Sequence, residues 1–142
     1  MKYISIIALV FLSFSCALEQ ISPSDYNDAI FVQQMKVKNL ITDLTKAPDD
    51  NARKELAQEL FTQSSESLRI VKEIGPFRGD ESLIKEATPL FEFYLDLSTE
   101  IANTEAASIP MVLDNYLSKQ MEMEQKFLKG QGRFAEKYEL FL

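Results

Sequence analysis

Residues 83–101, LIKEATPLFEFYLDLSTEI, hold the pattern that decides the fold of this chain. Apolar residues return in this stretch at alternating intervals of four and three positions, which places them on one face of an α-helix. They are Leu83, Ala87, Leu90, Tyr94, Leu97 and Ile101. We expect this helix to start at Asp80, with the aspartate side chain as its cap. Pro89 lies inside the pattern and predicts a kink or a restart capped by Thr88.

Two stretches nearer the N-terminus repeat the same spacing and predict two earlier helices. Ser22 and Asp25 indicate a capped start for the first of them. Asp49 and Asp50 can cap the second, and Gly75 marks its end. The residues on the two predicted faces are Tyr26, Ile30, Gln33, Val37, Leu40 and Leu44, then Leu56, Leu60, Ser64, Leu68 and Val71.

A fourth helix is predicted to open near Ser108. Gly130 and Gly132 interrupt it, and each costs about 1 kcal/mol relative to alanine in a helix interior. We expect a continuous but weakened helix whose backbone approaches a neighbour at these glycines; the alternative is a break after Lys129. Its face carries Leu113, Tyr116, Gln120, Met123, Phe127, Phe134, Tyr138 and Phe141. The final residues 140–142 are apolar, and we expect them to pack against Tyr26 and Ile30 at the start of the first helix; the alternative is that they dip toward the nearby bilayer.

Four helices with short connections predict an all-α chain folded as an antiparallel, up-down-up-down four-helix bundle. No stretch alternates with the period of two that a strand requires. We assign residues 25–142 to the bundle, residues 16–24 to a tether and residues 1–15 to a cleaved signal peptide. The 127 residues left after cleavage suffice for one domain with a single core.

The first residues have the three parts of a secretory signal. Lys2 supplies a charge, residues 3–14 form an apolar run too short to span a bilayer, and Ser15 is small. Cys16, the single cysteine of the chain, follows directly. These features predict cleavage directly before Cys16. Two alternatives to this cleavage stay open. One is ordinary secretion with cleavage after Ala17, and the other is a retained segment in which Cys16 is a buried thiol.

Composition excludes several classes of function. After residue 15 the chain has 14 basic and 22 acidic residues, a net charge of −8, which disfavours nucleic acid as a partner. The chain has no histidine. Catalytic triads with an imidazole base, histidine-ligated haem and histidine-dependent zinc sites are therefore excluded. We predict no enzymatic activity, no cofactor and no metal site.

Polar residues interrupt two of the apolar faces. When the midpoints of the helices are matched, Gln33, Ser64 and Tyr94 fall near one level of the predicted bundle. We interpret them as a buried polar layer that fixes helix register, since buried polar groups need partners. The alternative is that they grip a small ligand between the helices. The aromatic residues of the last two helices are interpreted as core, with an apolar ligand cavity as the alternative.

Two loops are the predicted surfaces for a partner. If the first helix runs away from the tether, the loops at residues 46–51 and 103–110 lie at the end of the bundle farthest from the membrane. Their candidate contact residues are Asp49, Asp50, Asn51 and Glu105. The loop at the other end contains Arg78-Gly79-Asp80, the tripeptide that integrin-binding adhesins display. We favour a structural role for it, because that loop should face the membrane.

The chain resembles the uncharacterised small helical surface lipoproteins of bacteria such as spirochaetes and Bacteroidota. The resemblance rests on residues 12–16, on residues 26–30 with Gln33, and on residues 131–138. It implies that the sulfur of Cys16 carries a diacylglyceryl group and that the protein is exposed at the cell surface. It implies no catalytic residues.

These observations favour a lipid-anchored protein of the bacterial cell envelope that acts as a non-enzymatic interaction module. Its partner would be an envelope or extracellular protein of unknown identity. The alternative function is a carrier that holds a small or apolar ligand between its helices. The alternative location is secretion after cleavage at Ala17.

Overall fold

A computed structural model describes residues 21–141 of the chain. It contains four α-helices: α1 (Pro23–Thr45), α2 (Asp50–Ile74), α3 (Ile84–Ala102) and α4 (Ile109–Lys137). A short 3-10 turn, Ala106–Ser108, precedes α4. Between residues 21 and 141 there is no β-strand, only an isolated bridge between Phe77 and Asp80. The all-α class is confirmed, and the four helices are compatible with a bundle. The predicted signal peptide and Cys16 lie outside the described residues.

Side chains cap the first two helices as predicted. Ser22 Oγ accepts the backbone N–H of Asp25 at 3.0 Å and donates to the Asp25 carboxylate at 2.7 Å. Asp49 Oδ1 accepts the N–H of Ala52 at 2.9 Å. α2 ends at Gly75, whose φ of 61° suits glycine. These bonds satisfy backbone donors that a helix start leaves without partners.

The start of α3 differs from the prediction. The helix begins at Ile84 rather than Asp80, because the chain first makes a tight turn in which Arg78 and Gly79 have φ of 49° and 83°. Phe77 and Asp80 exchange backbone hydrogen bonds across this turn, at 3.1 and 2.8 Å. Of the two alternatives predicted at Pro89, a kink or a restart capped by Thr88, the restart is excluded because α3 is continuous through Pro89.

α4 is continuous across both of its glycines, as expected. A Cβ added to Gly130 would lie 2.9 Å from Glu86 Cβ, so the close approach of α3 requires glycine there. A Cβ on Gly132 would meet no atom within 4 Å. One glycine is therefore a packing residue, and the other faces open space.

A single hydrophobic core joins all four helices. The predicted face of α3 is its centre, with every member from Leu83 to Ile101 at most 1% exposed. Phe127 and Phe134 of α4 are completely buried, which confirms the interpretation of these aromatics as core. The prediction for Phe141 is wrong: Leu140 packs against the core, but the Phe141 side chain is fully exposed.

The helices are not evenly spaced. The backbones of α1 and α2, of α2 and α3, and of α3 and α4 lie close together, whereas α1 and α4 approach less closely. Long polar side chains cross this wider gap. Lys38 Nζ contacts Glu124 Oε2 at 2.8 Å, and Gln131 Nε2 donates to Asn27 Oδ1 at 3.1 Å. None of the described helices combines the length and apolar character needed to cross a bilayer.

Candidate functional site

The wider spacing of α1 and α4 leaves a groove of about 520 Å³ between them. This volume lies within the range of roughly 300–1,000 Å³ that is typical of small-molecule sites. The apolar residues that line it are Phe31, Leu128, Leu140 and Phe141. The polar residues that line it are Ser24, Asn27, Asp28 and Gln131, and Gly132 completes the wall. We call this feature the α1–α4 groove.

The floor of the α1–α4 groove is a pair of amides. Asn27 is 3% exposed and Gln131 is 5% exposed, and the bond between them joins the two helices. Each amide carries both donor and acceptor groups, so one mutual bond leaves further capacity on each side chain. The floor can therefore hold a second polar group without breaking the contact between the helices.

The rim of the α1–α4 groove is apolar and open to solvent. Phe31 is 39% exposed and Leu128 is 56% exposed, and both lie beside the buried amides. Apolar surface gathered around a few convergent polar groups is the usual composition of a ligand site. Sequence reasoning missed this groove because Phe31 and Leu128 lie outside the predicted core faces. The available signal for the groove was that these two apolar residues lie beside the predicted core faces rather than on them.

The predicted polar layer is buried but is not one connected group. Gln33, Ser64 and Tyr94 are all at most 7% exposed. Gln33 accepts a hydrogen bond from Ser67 Oγ at 3.2 Å, and Tyr94 bonds to Glu124 on α4. Ser64 Oγ has no hydrogen-bond partner among the described residues. In this part of the chain, no hydrogen bond links the three predicted residues to one another.

Glu124 is the centre of a polar cluster that sequence reasoning did not predict. Its carboxylate accepts hydrogen bonds from Tyr94 at 3.0 Å, Gln120 at 3.0 Å and Lys38 at 2.8 Å. Burial acts to raise the pKa of Glu124, but these three donors outweigh it and lower the pKa. Burial, aided by the charge of Glu124, raises the pKa of Tyr94 far above its usual value. The one carboxylate therefore joins Lys38 of α1 and Tyr94 of α3 to α4.

The predicted partner loops meet at one end of the molecule. Asp50, Asn51 and Glu105 line a single depression of about 420 Å³, together with Lys54 and Asn103. The fourth predicted residue, Asp49, uses its side chain to cap α2 and does not line the depression. We call this feature the distal depression. Its polar lining suits hydrogen bonds and ion pairs at a protein surface.

The Asp80 carboxylate of the Arg78-Gly79-Asp80 turn is already engaged. It contacts Lys137 Nζ at 2.7 Å and accepts hydrogen bonds from Tyr138 at 3.1 Å and the Ser82 N–H at 2.8 Å. The side chain of Asp80 is only 8% exposed. The ion pair with Lys137 is the largest influence on the pKa of Asp80, which falls well below its usual value. This carboxylate fastens the turn to the end of α4.

Other carboxylates do not converge on a common site. Glu122 contacts Lys126 on the exposed side of α4, whereas Glu124 points into the bundle. Across residues 21–141 no three ligand side chains are placed to hold a metal ion. The α1–α4 groove and the distal depression are the two features that we consider as candidate sites.

Comparison with known proteins does not extend these observations. No protein-family model matches the chain, and no curated protein or solved structure matches it either.

Proposed function

We propose that the protein is a lipid-anchored component of the bacterial cell envelope whose helical domain is a non-enzymatic interaction module. The distal depression carries this proposal, because it unites two loops that are more than fifty residues apart in the chain. α1 has 23 residues and is about 34 Å long at 1.5 Å per residue. An anchor before Ile21 would hold the depression at roughly that height above the membrane.

The proposal includes the up-down-up-down arrangement of the helices. Contacts between the start of α1 and the end of α2 support it, among them the hydrogen bond from Tyr26 to the Gly75 carbonyl at 2.8 Å. The hydrogen bond between Glu100, near the end of α3, and Tyr116, in the first part of α4, supports an antiparallel arrangement of these two helices as well. Arg78 also bonds the Ile21 carbonyl at 3.3 Å, which supports placing that turn beside the tether.

The distal depression would bind a protein surface that offers hydrogen-bond donors and positive charge. Glu105 supplies a carboxylate, and Asp50 supplies a second one that already pairs with Arg53 Nη1 at 2.6 Å on the same helix. The net charge of −8 expected for the chain after residue 15 adds a long-range attraction for basic partners. Lys54 lies in the same depression, so a partner must place its positive charges near the carboxylates and away from this lysine.

Site-specific photo-crosslinking in intact cells tests this proposal. A photoreactive amino acid at Asn51 should form a discrete adduct with one envelope or extracellular protein. The charge reversal Glu105→Lys should reduce that adduct, because it reverses a charge in the same depression. The matched control is Glu81→Lys, an exposed glutamate in the turn region before α3, which should leave the adduct unchanged. Equal adducts from the protein without a charge reversal, from Glu105→Lys and from Glu81→Lys would contradict the proposal.

A second candidate function is the carriage of a small or apolar ligand, and the α1–α4 groove favours it. The sequence alone suggested a ligand position at the buried residues Gln33, Ser64 and Tyr94. None of these three lines the α1–α4 groove, so we now propose the groove as the ligand position. Exposed Phe31 and Leu128 give an apolar ligand surface to cover. The buried amides Asn27 and Gln131 give its polar end a partner.

A further inference from the structure

We propose that the α1–α4 groove binds a neutral lipid with one hydrocarbon chain and a hydroxyl-bearing head. The inference rests on the carrier function proposed above and is independent of the distal depression. It names the chemical class of the ligand. The apolar walls of the groove do not determine this class, because they contact only the hydrocarbon chain.

The apolar part of the groove suits a single chain. The α1 residues that line it extend from Ser24 to Phe31, about 10 Å along the helix axis. Leu140 and Phe141 continue the wall beyond the end of α4, and Phe141 is fully exposed. A hydrocarbon chain along this line would cover Phe31, Leu128 and Phe141 together. Removing that apolar surface from water is the main source of affinity.

The polar part of the groove selects the head. Its lining includes the Asp28 carboxylate and, among the described residues, no lysine, arginine or histidine. Asp28 is exposed and has no ion-pair partner among residues 21–141. A lipid carboxylate or phosphate would meet this charge without a compensating cation, whereas a hydroxyl can donate to it. The overall negative charge of the protein acts in the same direction.

The amide floor accepts the same head group. Asn27 donates to the Asp28 carboxylate through a long contact of 3.4 Å, and Gln131 bonds Asn27. A hydroxyl that bridges Asp28 and one of these amides would donate its single proton to the carboxylate and accept a hydrogen bond from the amide N–H. The head of a monoacylglycerol has two adjacent hydroxyls and no charge. It can therefore bond to Asp28 and to an amide without placing a second negative charge beside Asp28.

The experiment uses two photoreactive lipids with the same diazirine-bearing chain, a monoacylglycerol and the corresponding fatty acid. Each is added to membranes that contain the full-length protein, and labelled peptides are located by mass spectrometry. We expect the monoacylglycerol to label peptides from the start of α1 and the end of α4. We expect the fatty acid to label them at least about tenfold less, because an anionic head leaves Asp28 facing a like charge.

Three variants locate the site and the source of its selectivity. Gly132→Leu should fill the groove and abolish labelling, and the protein should still fold, since a Cβ there meets no atom and leucine favours a helix. Asp28→Asn should raise fatty-acid labelling toward that of the monoacylglycerol. The matched control is Leu117→Asp, an exposed apolar residue of α4 that does not line the groove, and its labelling should equal that of the unaltered protein.

Five results would overturn the inference. Equal labelling by the two lipids at the groove would remove the selectivity for a neutral head but leave the carrier function standing. Undiminished labelling of Gly132→Leu, or no labelling of groove peptides at all, would remove the carrier function as well. Labelling seen only in Cys16→Ala protein would mean that the chain's own acyl group occupies the groove. A dimer in which a second copy covers Phe31 and Leu128 would likewise exclude a lipid there.

Discussion

At the scale of single residues, a few contacts decide what each position tolerates. Gly130 and Gly132 are two positions apart in one helix, yet only Gly130 touches a neighbouring helix. Ser64 and Ser67 are both completely buried on α2, yet only Ser67 has a hydrogen bond to another helix. These pairs allow matched substitutions in which residue type and helix are constant and the surroundings differ.

Alanine at the two glycines of α4 should have opposite effects. Gly132→Ala should stabilise the protein by about 0.5–1 kcal/mol, because alanine has the higher helix propensity. Gly130→Ala should destabilise it by about 1–3 kcal/mol, since the new methyl group overlaps Glu86 Cβ and forces α3 and α4 apart. Urea unfolding of both variants measures the two free energies. Equal stabilisation by both substitutions would refute the close approach at Gly130.

The two serines of α2 should also respond in opposite directions. Ser64→Ala should raise the free energy of unfolding by about 1 kcal/mol, because Ser64 Oγ is buried without a partner among the described residues. Ser67→Ala should lower it by about 0.5–1.5 kcal/mol, because it removes the hydrogen bond to Gln33. Thermal or urea unfolding measures both. A loss of stability in Ser64→Ala would indicate that its hydroxyl has a partner we have not identified.

At the scale of elements, the turn between α2 and α3 is joined to the end of α4 through Asp80. The Asp80 carboxylate contacts Lys137 and Tyr138, while Phe77 packs its ring against Tyr138 with centroids 5.2 Å apart. Tyr26 closes the same cluster from α1, with its ring centroid 5.0 Å from that of Phe77. Burial is the main cause that raises the pKa of Tyr26 to about 12. Charge and aromatic packing together hold this end of the molecule.

Acid should weaken this end through Asp80. The folded state lowers the pKa of Asp80, so the unfolded state binds more protons once the pH falls below the ordinary aspartate value of about 3.9. Stability from Asp80 is therefore complete above roughly pH 5 and is lost progressively as the pH falls toward its folded pKa. Asp80→Asn should cost about 1–3 kcal/mol at pH 7 and progressively less at acidic pH. Urea unfolding of both proteins from pH 2 to 7 measures this difference. A constant difference across that range would contradict the role of the ion pair.

Sequence patterns predicted the helices better than the spaces between them. The caps at Ser22 and Asp49 and the buried face of α3 follow from local rules, because each depends on residues a few positions apart. The late start of α3 depends on two consecutive residues with positive φ, one of which is Arg78, a residue type that rarely adopts it. Gly79 indicates a turn in the sequence, but nothing in the sequence indicates that Arg78 would adopt a positive φ as well.

The apolar residues Phe31 and Leu128 were a signal for an additional surface, but the α1–α4 groove could not be located from the sequence because it depends on the distance between two helices. Asn27 and Gln131 are 104 positions apart, and neither lies at a predicted core position. Their pairing, with that of Lys38 and Glu124, sets the gap that leaves Phe31 and Leu128 uncovered. The predicted layer of Gln33, Ser64 and Tyr94 had the right burial, but Gln33 and Tyr94 bond to other residues and Ser64 Oγ has no partner among the described residues.

At the scale of the whole molecule, the folded domain follows a proposed anchor and has two candidate binding features. The distal depression and the α1–α4 groove are separate, since they share no lining residue. With the anchor before Ile21, the groove would lie near the membrane, where a lipid is available. The depression would lie at the opposite end, where a protein partner is accessible.

Cell fractionation of the unaltered protein and of Cys16→Ala tests the central claim, lipid anchoring in the envelope, most directly. Acyl chains contribute about 0.8 kcal/mol for each buried methylene, and stable anchoring requires two signals, which a diacylglyceryl group supplies. We expect the unaltered protein in the membrane fraction, resistant to high salt and released by detergent, and Cys16→Ala depleted from that detergent-released pool. An unaltered protein that is already soluble would contradict the account.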